Sequence, residues 1–329
     1  NGRAQQPGTA RLNLASDDTI HAGFAGLHEA FAQDGLQLEL GANAELPQPI
    51  HVLTLSSADS DNAMHHLAHR LRRARGARAT IILEHAGLPG AARLITQSLQ
   101  AELGDNAELT LIRVQDESET TTQWLQAGAT LGCDARLKIV NIDLGGSLIR
   151  NDWTVRLMAE GASAEVSGLF AVDGVTKLDN QYEIIHAAPH GTSRETFRGL
   201  GFGKSRSVLN GRVVVQPGAM KTDSEQRIAS LMIDRGAEIN AKPELEIYAD
   251  DVKCAHGNSC GQLDDKAVFY LRSRGVPEAL ARALLTYSFA SEVLAHIPHA
   301  ALRRRIAQRI VTRLGADLDV DSLIETTPA

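Results

Sequence analysis

A cysteine and a histidine in the last third of the chain form the pair of residues best suited to chemistry. Cys254 and His256 are separated by one residue and follow a segment rich in alternating apolar residues. Side chains two positions apart on an extended strand point to the same face. A thiolate and an imidazole on one face suit iron, zinc or an iron–sulfur species. Because two ligands do not complete a tetrahedral site, a partner chain or a labile cluster would supply the rest.

Other interpretations of the candidate ligands remain open on spacing alone. A buried cysteine beside a hydrogen-bonded histidine would explain the pair without any metal. Cys260, six residues beyond Cys254, could return as a third ligand or simply stand nearby. His65 and His69, with His66 between them, would share one face of a helix and could hold zinc. Histidine-rich surface helices are common, so a solvated face is the alternative for this second group.

Two further motifs resemble catalytic loops but lack parts that catalysis needs. His190 and Ser193 lie close together, yet no acidic residue has a recognisable position to orient the histidine, and no nucleophile-elbow motif is present. The glycine-rich stretch 199–205 leaves three residues, instead of four, before its Gly-Lys-Ser, so it does not match a phosphate-binding loop. The sequence therefore predicts no catalytic residues and no enzyme activity.

The elements that must position the cysteine and histidine are predicted from hydrophobic patterning. Between about residues 79 and 262, short apolar runs recur with small-residue turns and without helical stretches. Gly-Ala pairs at 128, 161, 218 and 236 mark candidate turns at irregular intervals. This pattern predicts a mainly β fold, a right-handed parallel β-helix, although a β-sandwich would present similar short runs.

Four further segments are predicted around this β-helix core. Residues 1–23 form a flexible N-terminal segment, and residues 24–78 form a short cap of mixed structure in which the histidine-rich stretch is a helix or a loop. Residues 263–316 show helical periodicity and form a C-terminal helical domain with an arginine-rich last helix. Residues 317–329 form an acidic tail. The helices could cap the open end of the β-helix, dock a partner, or do both.

Composition and charge exclude several classes of function. The net charge of −7 disfavours a nucleic-acid partner, and no run of 18 apolar residues predicts a membrane span. Three cysteines without framework spacing indicate a reducing, cytoplasmic location. The first residues lack a signal pattern and an initiator methionine, so the chain is either trimmed or a naturally short protein. A polysaccharide-acting β-helix enzyme would need clustered acidic residues, which the sequence does not show, whereas a self-associating homodimeric scaffold stays possible.

An ordered set of motifs resembles the SufB/SufD family of the SUF iron–sulfur cluster assembly system. The resemblance extends over nearly the whole chain, and a chance match could supply one of its motifs but not all of them in order. Its most specific parts are residues 147–152, 168–170, 173–174, 179–180, 186, 189–190, 192–195, 210–211 and 221–223, and the continuous block 242–275. Ala255 stands where SufB-like members carry a histidine before glutamate, which favours the SufD side of the family.

The resemblance implies a fold, partners and a site. The fold would be a parallel β-helix between terminal helical regions, and the chain would pair with its paralogue SufB and bind the ATPase SufC. Cys254 and His256 would lie near the SufB interface, where a nascent iron–sulfur cluster or iron is held only when the partner is present. ATP-driven closure of SufC would pull on the C-terminal helices. The residues expected to contact partners are Tyr270, Leu271, Arg274, Leu284, Tyr287, Phe289 and Glu292.

Overall fold

The computed structural model describes residues 19–32, 34–57, 62–90 and 92–315. The predicted acidic tail, and residues 1–18 of the predicted N-terminal segment, lie outside the described residues. The strands are β1 (Gln37–Leu40), β2 (Ile50–Ser56), β3 (Met64–Arg73), β4 (Arg78–Gly87), β5 (Arg93–Leu103), β6 (Glu108–Asp116), β7 (Thr121–Leu131), β8 (Arg136–Asp143), β9 (Leu148–Leu157), β10 (Ser163–Val172), β11 (Lys177–His186), β12 (Thr192–Gly201), β13 (Arg206–Val215), β14 (Asp223–Met232), β15 (Glu238–Ile247) and β16 (Lys253–Gly261). The helices are α1 (Thr19–Phe31), α2 (Asp265–Ser273), α3 (Glu278–Leu294) and α4 (Ala300–Arg313).

The described strands wind into a β-solenoid with two parallel sheets. The odd sheet contains β1 to β15 in steps of two, and the even sheet contains β2 to β16 in the same way. Each strand pairs in parallel with the strand one coil later, so that Lys177 of β11 lies opposite Leu148 of β9, 29 residues earlier. This pairing confirms the predicted parallel β-helix and excludes the β-sandwich, whose sheets are antiparallel.

One corner of every coil repeats a left-handed backbone position. The N–H at this position bonds to a carbonyl of the next coil, as Asp134 does to Glu160 at 3.0 Å. Glycine, asparagine and aspartate tolerate positive φ best, and they occupy most of these corners. The Gly-Ala turn prediction is confirmed at Gly161, Gly218 and Gly236, which lie between strands, whereas Gly128 lies inside β7. The corner residues, with φ between 53° and 70°, are Asn43, Gly76, Asn106, Asp134, Gly161, His190, Lys221 and Asp251.

The solenoid begins earlier in the chain than the sequence patterning predicted. The segment predicted as a cap over 24–78 already contains β1, β2 and β3, which are the first strands of the two sheets. The histidine-rich stretch is strand β3, neither a helix nor a loop. Helix α1 packs outside the coils, and its His28 contacts the outer side of β5, where Nε2 lies 2.9 Å from the Ser98 hydroxyl.

The C-terminal helices pack along the outer face of the even sheet. Buried residues of α3 and α4, among them Tyr287 and Ile306, form one apolar cluster with outward residues of the even sheet such as Ile142 and Leu169. The helices therefore lie beside the coils, which corrects the expectation that they cap the end of the solenoid. Among the described helices, none has both the length and the apolar character needed to cross a bilayer.

Aromatic rings fill the middle of the solenoid lumen, and glycines on the even sheet make room for them. Tyr182 and Phe197 pack with ring centroids 4.7 Å apart. A methyl group at Gly199 would overlap the Phe170 ring and lie 2.9 Å from the Ser230 hydroxyl oxygen. The rings therefore depend on glycine at this strand position for their packing.

We expect Gly199→Ala to lower the free energy of unfolding by about 3 kcal/mol, because the added methyl group overpacks a buried ring. Chemical denaturation followed by circular dichroism would measure the change. Gly257→Ala is the matched control, since Gly257 also lies on a strand of the even sheet and no atom lies within 4 Å of the added methyl group. A loss below 0.5 kcal/mol at both positions, about the size of a neutral surface change, would contradict the packing argument.

Candidate functional site

Cys254 and His256 lie on β16, the last strand of the even sheet. Side chains on this strand alternate, and those of Asn258 and Cys260 reach β15 across the lumen, where Asn258 Nδ2 donates to the Ala241 carbonyl at 2.9 Å. Cys254 packs partly against the main apolar core. By alternation the four even-numbered residues from 254 to 260 share the lumen side of the strand. The cysteine and histidine therefore face the mouth of the lumen.

The strand runs without a turn from Cys254 to Cys260, although a return of Cys260 as a third ligand would require one. Gly257 and Gly261 are both within β16, so Cys260 does not loop back toward Cys254. Six residues of extended strand place their Cα atoms about 20 Å apart. Cys260 therefore cannot complete a site with Cys254 inside one chain.

Among the described residues, β15 and β16 are the last strands of the two sheets and form this mouth of the lumen. Within the described part of the chain, no strand pairs with the outer edge of β15 or β16. His256 is exposed and Cys254 is half-buried, and burial raises the pKa of the Cys254 thiol above its usual value. The thiol is therefore mainly protonated at neutral pH until a metal or another electrophile displaces its proton.

A row of hydroxyl groups lies behind Cys254. In the coils before it, the same inward position is held by Ser224 and then by Ser193. Ser193 donates to the Ser224 hydroxyl at 2.8 Å, and His186 Nε2 lies 2.9 Å from Ser193 Oγ. Burial lowers the pKa of His186 to about 4, so its ring is neutral at physiological pH. The row ends at the half-buried thiol.

An acid–amide pair lies behind His256. The same inward position is Gln226 one coil earlier and Glu195 two coils earlier. Gln226 Nε2 donates to Glu195 Oε1 at 3.1 Å, and both side chains are buried. Burial raises the pKa of Glu195 to about 8, a shift that the hydrogen bond from Gln226 partly opposes. The exposed histidine is thus the outermost member of a polar row.

The two polar rows were not predicted from the sequence, although their residues repeat at a regular spacing in it. Ser193, Ser224 and Cys254 are 31 and 30 residues apart, and Glu195, Gln226 and His256 repeat that spacing. These are single-coil intervals. Without the coil length, residues 30 positions apart could not be recognised as neighbours.

The predicted zinc pair His65 and His69 does point to one face, but the local hydrogen bonding disfavours a metal. Both residues line a cavity of about 420 Å³ at the opposite mouth of the solenoid, together with Asp34. The backbone N–H of Leu36 donates to His69 Nδ1 at 3.1 Å, so in the neutral ring Nε2 carries the proton and cannot ligate. Among the described residues, no group of three or more potential ligands is arranged to hold a metal ion.

His66 points away from this cavity. Its ring stacks on Phe31 of α1 at 5.6 Å, and its Nδ1 lies 2.6 Å from the Thr96 hydroxyl, which also contacts His28. His66 therefore belongs to the contact between α1 and the odd sheet rather than to a metal site.

The candidate partner contacts on the C-terminal helices divide into exposed and buried groups. On α2, Tyr270 is 55% exposed, and the Arg274 guanidinium lies 4.5 Å from its ring centroid; Leu271 is half-buried beside them. On α3, Tyr287 is buried in the cluster against the even sheet and Leu284 packs on that cluster. Burial of Tyr287 corrects its prediction as a surface contact, because it already holds α3 on the solenoid.

Arg198 of β12 engages the last two candidate contacts. Its guanidinium lies 5.5 Å from the Phe289 ring centroid, and its Nε donates to Glu292 at 3.0 Å. The arginine side of α4 is used in the same way: Arg309 Nε donates to Asp116 at 2.7 Å, and Arg313 donates to the backbone carbonyls of β-strand ends. These residues therefore fasten the helices to the even sheet, and α2 is the helix that leaves aromatic side chains exposed.

The lumen also contains a buried ion pair that was not predicted from the sequence. Arg113 Nη1 donates to Asp143 Oδ1 at 2.9 Å and to Asn141 Oδ1 at 3.0 Å, with all three side chains buried. Asn151 and Asn180 also donate to the same carboxylate. The even-sheet members of this network lie on β6 and β8, at least four strands from β16 in the order of the sheet. The network therefore stabilises the fold and does not belong to the candidate site.

The chain is similar to known proteins of one family. The family model described as SUF system FeS cluster assembly, SufBD core domain, matches residues 55–289. The chain is 28% identical over 293 residues to the iron–sulfur cluster assembly protein SufD of Escherichia coli strain K12, covering 88% of this chain and 69% of that protein. It is 30% identical over 301 residues to an iron–sulfur cluster assembly SufBD family protein of Synechocystis, covering 88% of this chain and 66% of that relative. A Bacillus subtilis SufD is 27% identical over 209 residues, covering 63% of this chain and 48% of that protein. The chain thus spans about two thirds or less of the length of these relatives.

Proposed function

Because the chain belongs to the SufBD family of the SUF iron–sulfur cluster assembly system, we propose that it is a scaffold subunit that pairs with SufB and binds the ATPase SufC. The observation that carries this proposal is the open β16 mouth, where Cys254 and His256 share one face. Two soft ligands at an uncovered mouth form half of a metal site. The partner's facing surface would supply the other half.

Among the described residues, the outer edges of β15 and β16 pair with no strand, which supports edge-to-edge docking of a second solenoid. An exposed strand edge presents free N–H and C=O groups that another strand can pair with. A paralogue built from similar coils would continue both sheets and bring its own ligands to Cys254 and His256. The iron and sulfide are cargo in this scheme, and the chain holds them only while the partner is present.

Helix α2 is the surface proposed for SufC. Phe269 is 70% exposed and Tyr270 is 55% exposed, and such exposed aromatic residues are enriched in protein interfaces. Because α2 directly follows β16 in the chain, a movement of SufC at α2 would be transmitted to the strand that carries the ligands. The proposed location is the cytoplasm, where reducing conditions keep Cys254 as a thiol.

The proposal is tested by purifying the chain anaerobically with SufB and SufC from the same cell and measuring bound iron and sulfide. We expect His256→Ala to retain the three-protein complex and to lose its cluster, because it removes a ligand from an exposed position. His190→Asn is the matched control, since His190 is an exposed histidine at a coil corner with φ of 59°, a position that asparagine tolerates.

Two outcomes would overturn the scaffold proposal. The first is wild-type iron and sulfide content in the His256→Ala complex. The second is a chain that never associates with SufB and forms an iron-free homodimer through the same edges, which would instead support a self-associating scaffold.

A further inference from the structure

The two rows of lumen-facing residues that end at Cys254 and His256 change from apolar to hydrogen-bonding residues near β16. Three and four coils behind β16, these rows contain Ala164 and Val166, then Leu137 and Ile139. The change from apolar to polar occurs in the two coils nearest the mouth. Burying polar groups costs free energy unless they form hydrogen bonds. Their position directly behind the candidate ligands therefore indicates a role at that site.

The amide of Gln226 hydrogen-bonds to the coil behind it. Its Nε2 donates to Glu195, which directs the NH₂ group away from the mouth. Its Oε1 is buried and has no hydrogen-bond partner. The next residue in this row is His256, and neighbouring strands are about 4.8 Å apart. An acceptor without a donor therefore lies one strand behind the histidine.

The hydroxyl of Ser224 offers a hydrogen-bond donor, whereas the Gln226 carbonyl offers an acceptor. It accepts the hydrogen bond that Ser193 donates, so its own proton is available. The next residue in that row is Cys254. A free O–H donor therefore lies one strand behind the cysteine.

These two groups are complementary to the two candidate ligands in their metal-bound states. An imidazole that binds a metal through one nitrogen carries a proton on the other, and it commonly donates that proton to an oxygen acceptor. A thiolate accepts hydrogen bonds and carries no proton to donate. An acceptor behind the histidine and a donor behind the cysteine match both requirements.

We propose that Gln226 and Ser224 are positioning residues for the cluster site, with the Gln226 carbonyl accepting the free ring N–H of His256 and the Ser224 hydroxyl donating to the Cys254 thiolate. Glu195 and Ser193 set the directions of these two groups and act through them. The inference rests on the proposed function, since it concerns how the same two ligands are held.

The first test measures the tautomer of His256 in the metal-free chain by nitrogen NMR of histidine-labelled protein, with His256→Ala to assign the signal. In alkaline buffer, we expect one dominant tautomer in the wild type and a mixture of the two in Gln226→Leu. Gln226→Glu, which keeps an acceptor, should restore one tautomer. Gln123→Leu is the matched control, because Gln123 is also a fully buried lumen glutamine but lies far from the mouth.

The second test measures binding of Co²⁺ as a probe to the complex with SufB, followed by absorption spectroscopy. We expect Gln226→Leu and Ser224→Ala each to weaken binding by about 10- to 100-fold, with Gln123→Leu unchanged. If His256→Ala abolishes cluster recovery while Gln226→Leu leaves both the tautomer and Co²⁺ affinity at wild-type values, the positioning inference fails and the scaffold function stands. If His256→Ala itself has no effect on cluster recovery, the scaffold function fails.

Discussion

Asp143→Ala is expected to lower the free energy of unfolding by about 4 kcal/mol, because it leaves the buried Arg113 charge without its counterion. The side chains of both residues are at most 2% exposed. The same substitution also removes the acceptor used by Asn141 and Asn151, and unpaired buried amides add to the cost. Denaturant titration of the variant and the wild type would measure the difference.

An exposed ion pair in the neighbouring coils provides the matched control. Glu108→Ala breaks a pair in which Arg136 Nη1 lies 3.0 Å from the carboxylate and the arginine side chain is 69% exposed. We expect a loss below about 1 kcal/mol there, as is usual for solvated pairs. Replacing both buried partners, as in Arg113→Met with Asp143→Leu, should recover much of the stability. Equal effects of Asp143→Ala and Glu108→Ala would show that the buried pair has no special role.

Glu195→Gln is expected to stabilise the protein increasingly as the pH rises. The pKa of Glu195 is raised from 4.5 to about 8 by burial. Its contribution to stability is therefore fully present below pH 4.5 and is lost as the pH rises through about 8. Glutamine stays neutral throughout, so the variant avoids this loss. The advantage should grow by about 1.4 kcal/mol per pH unit between pH 4.5 and 8 and level off at about 5 kcal/mol above pH 8.

A measurement at low pH is the control for the Glu195→Gln prediction. At pH 4.5 the wild-type carboxyl is protonated, so the two proteins should differ by less than about 1 kcal/mol, the range of a conservative change. Unfolding free energies measured from pH 4.5 to pH 9 would give the slope. A constant difference across this range would mean that the Glu195 side chain is ionised in the folded protein at neutral pH.

The fold class could be predicted from the sequence because parallel coils leave a local signal. Apolar residues alternate within each strand, and the turns contain small residues. The coil length could not be read in the same way, since asparagine, aspartate, histidine and lysine share the left-handed corner with glycine. Strand β3 was missed because its outward positions are basic residues such as Arg70 and Arg72, while His69 and Leu71 face inward.

The candidate ligands could be identified by residue type, but their surroundings could not. Cys254 and His256 are close in the sequence, so spacing alone places them on one face. Gln226 and Ser224 are each 30 residues from the ligand they adjoin, and only the coil register brings them together. The helix contacts were predicted as a single surface because periodicity does not distinguish the face of α3 that packs on a sheet from one that meets a partner.

The position of β16 at the end of the stack has a consequence for how the site behaves in time. In a repeat architecture each coil is supported by its neighbours, and β16 has a neighbouring strand on one side only among the described residues. Hydrogen exchange at its backbone amides should therefore be faster than at those of β12, which is paired on both sides. The strand that carries the cysteine and histidine would open and close locally before a partner binds. Docking of a second solenoid would then protect those amides and hold the ligands in place together.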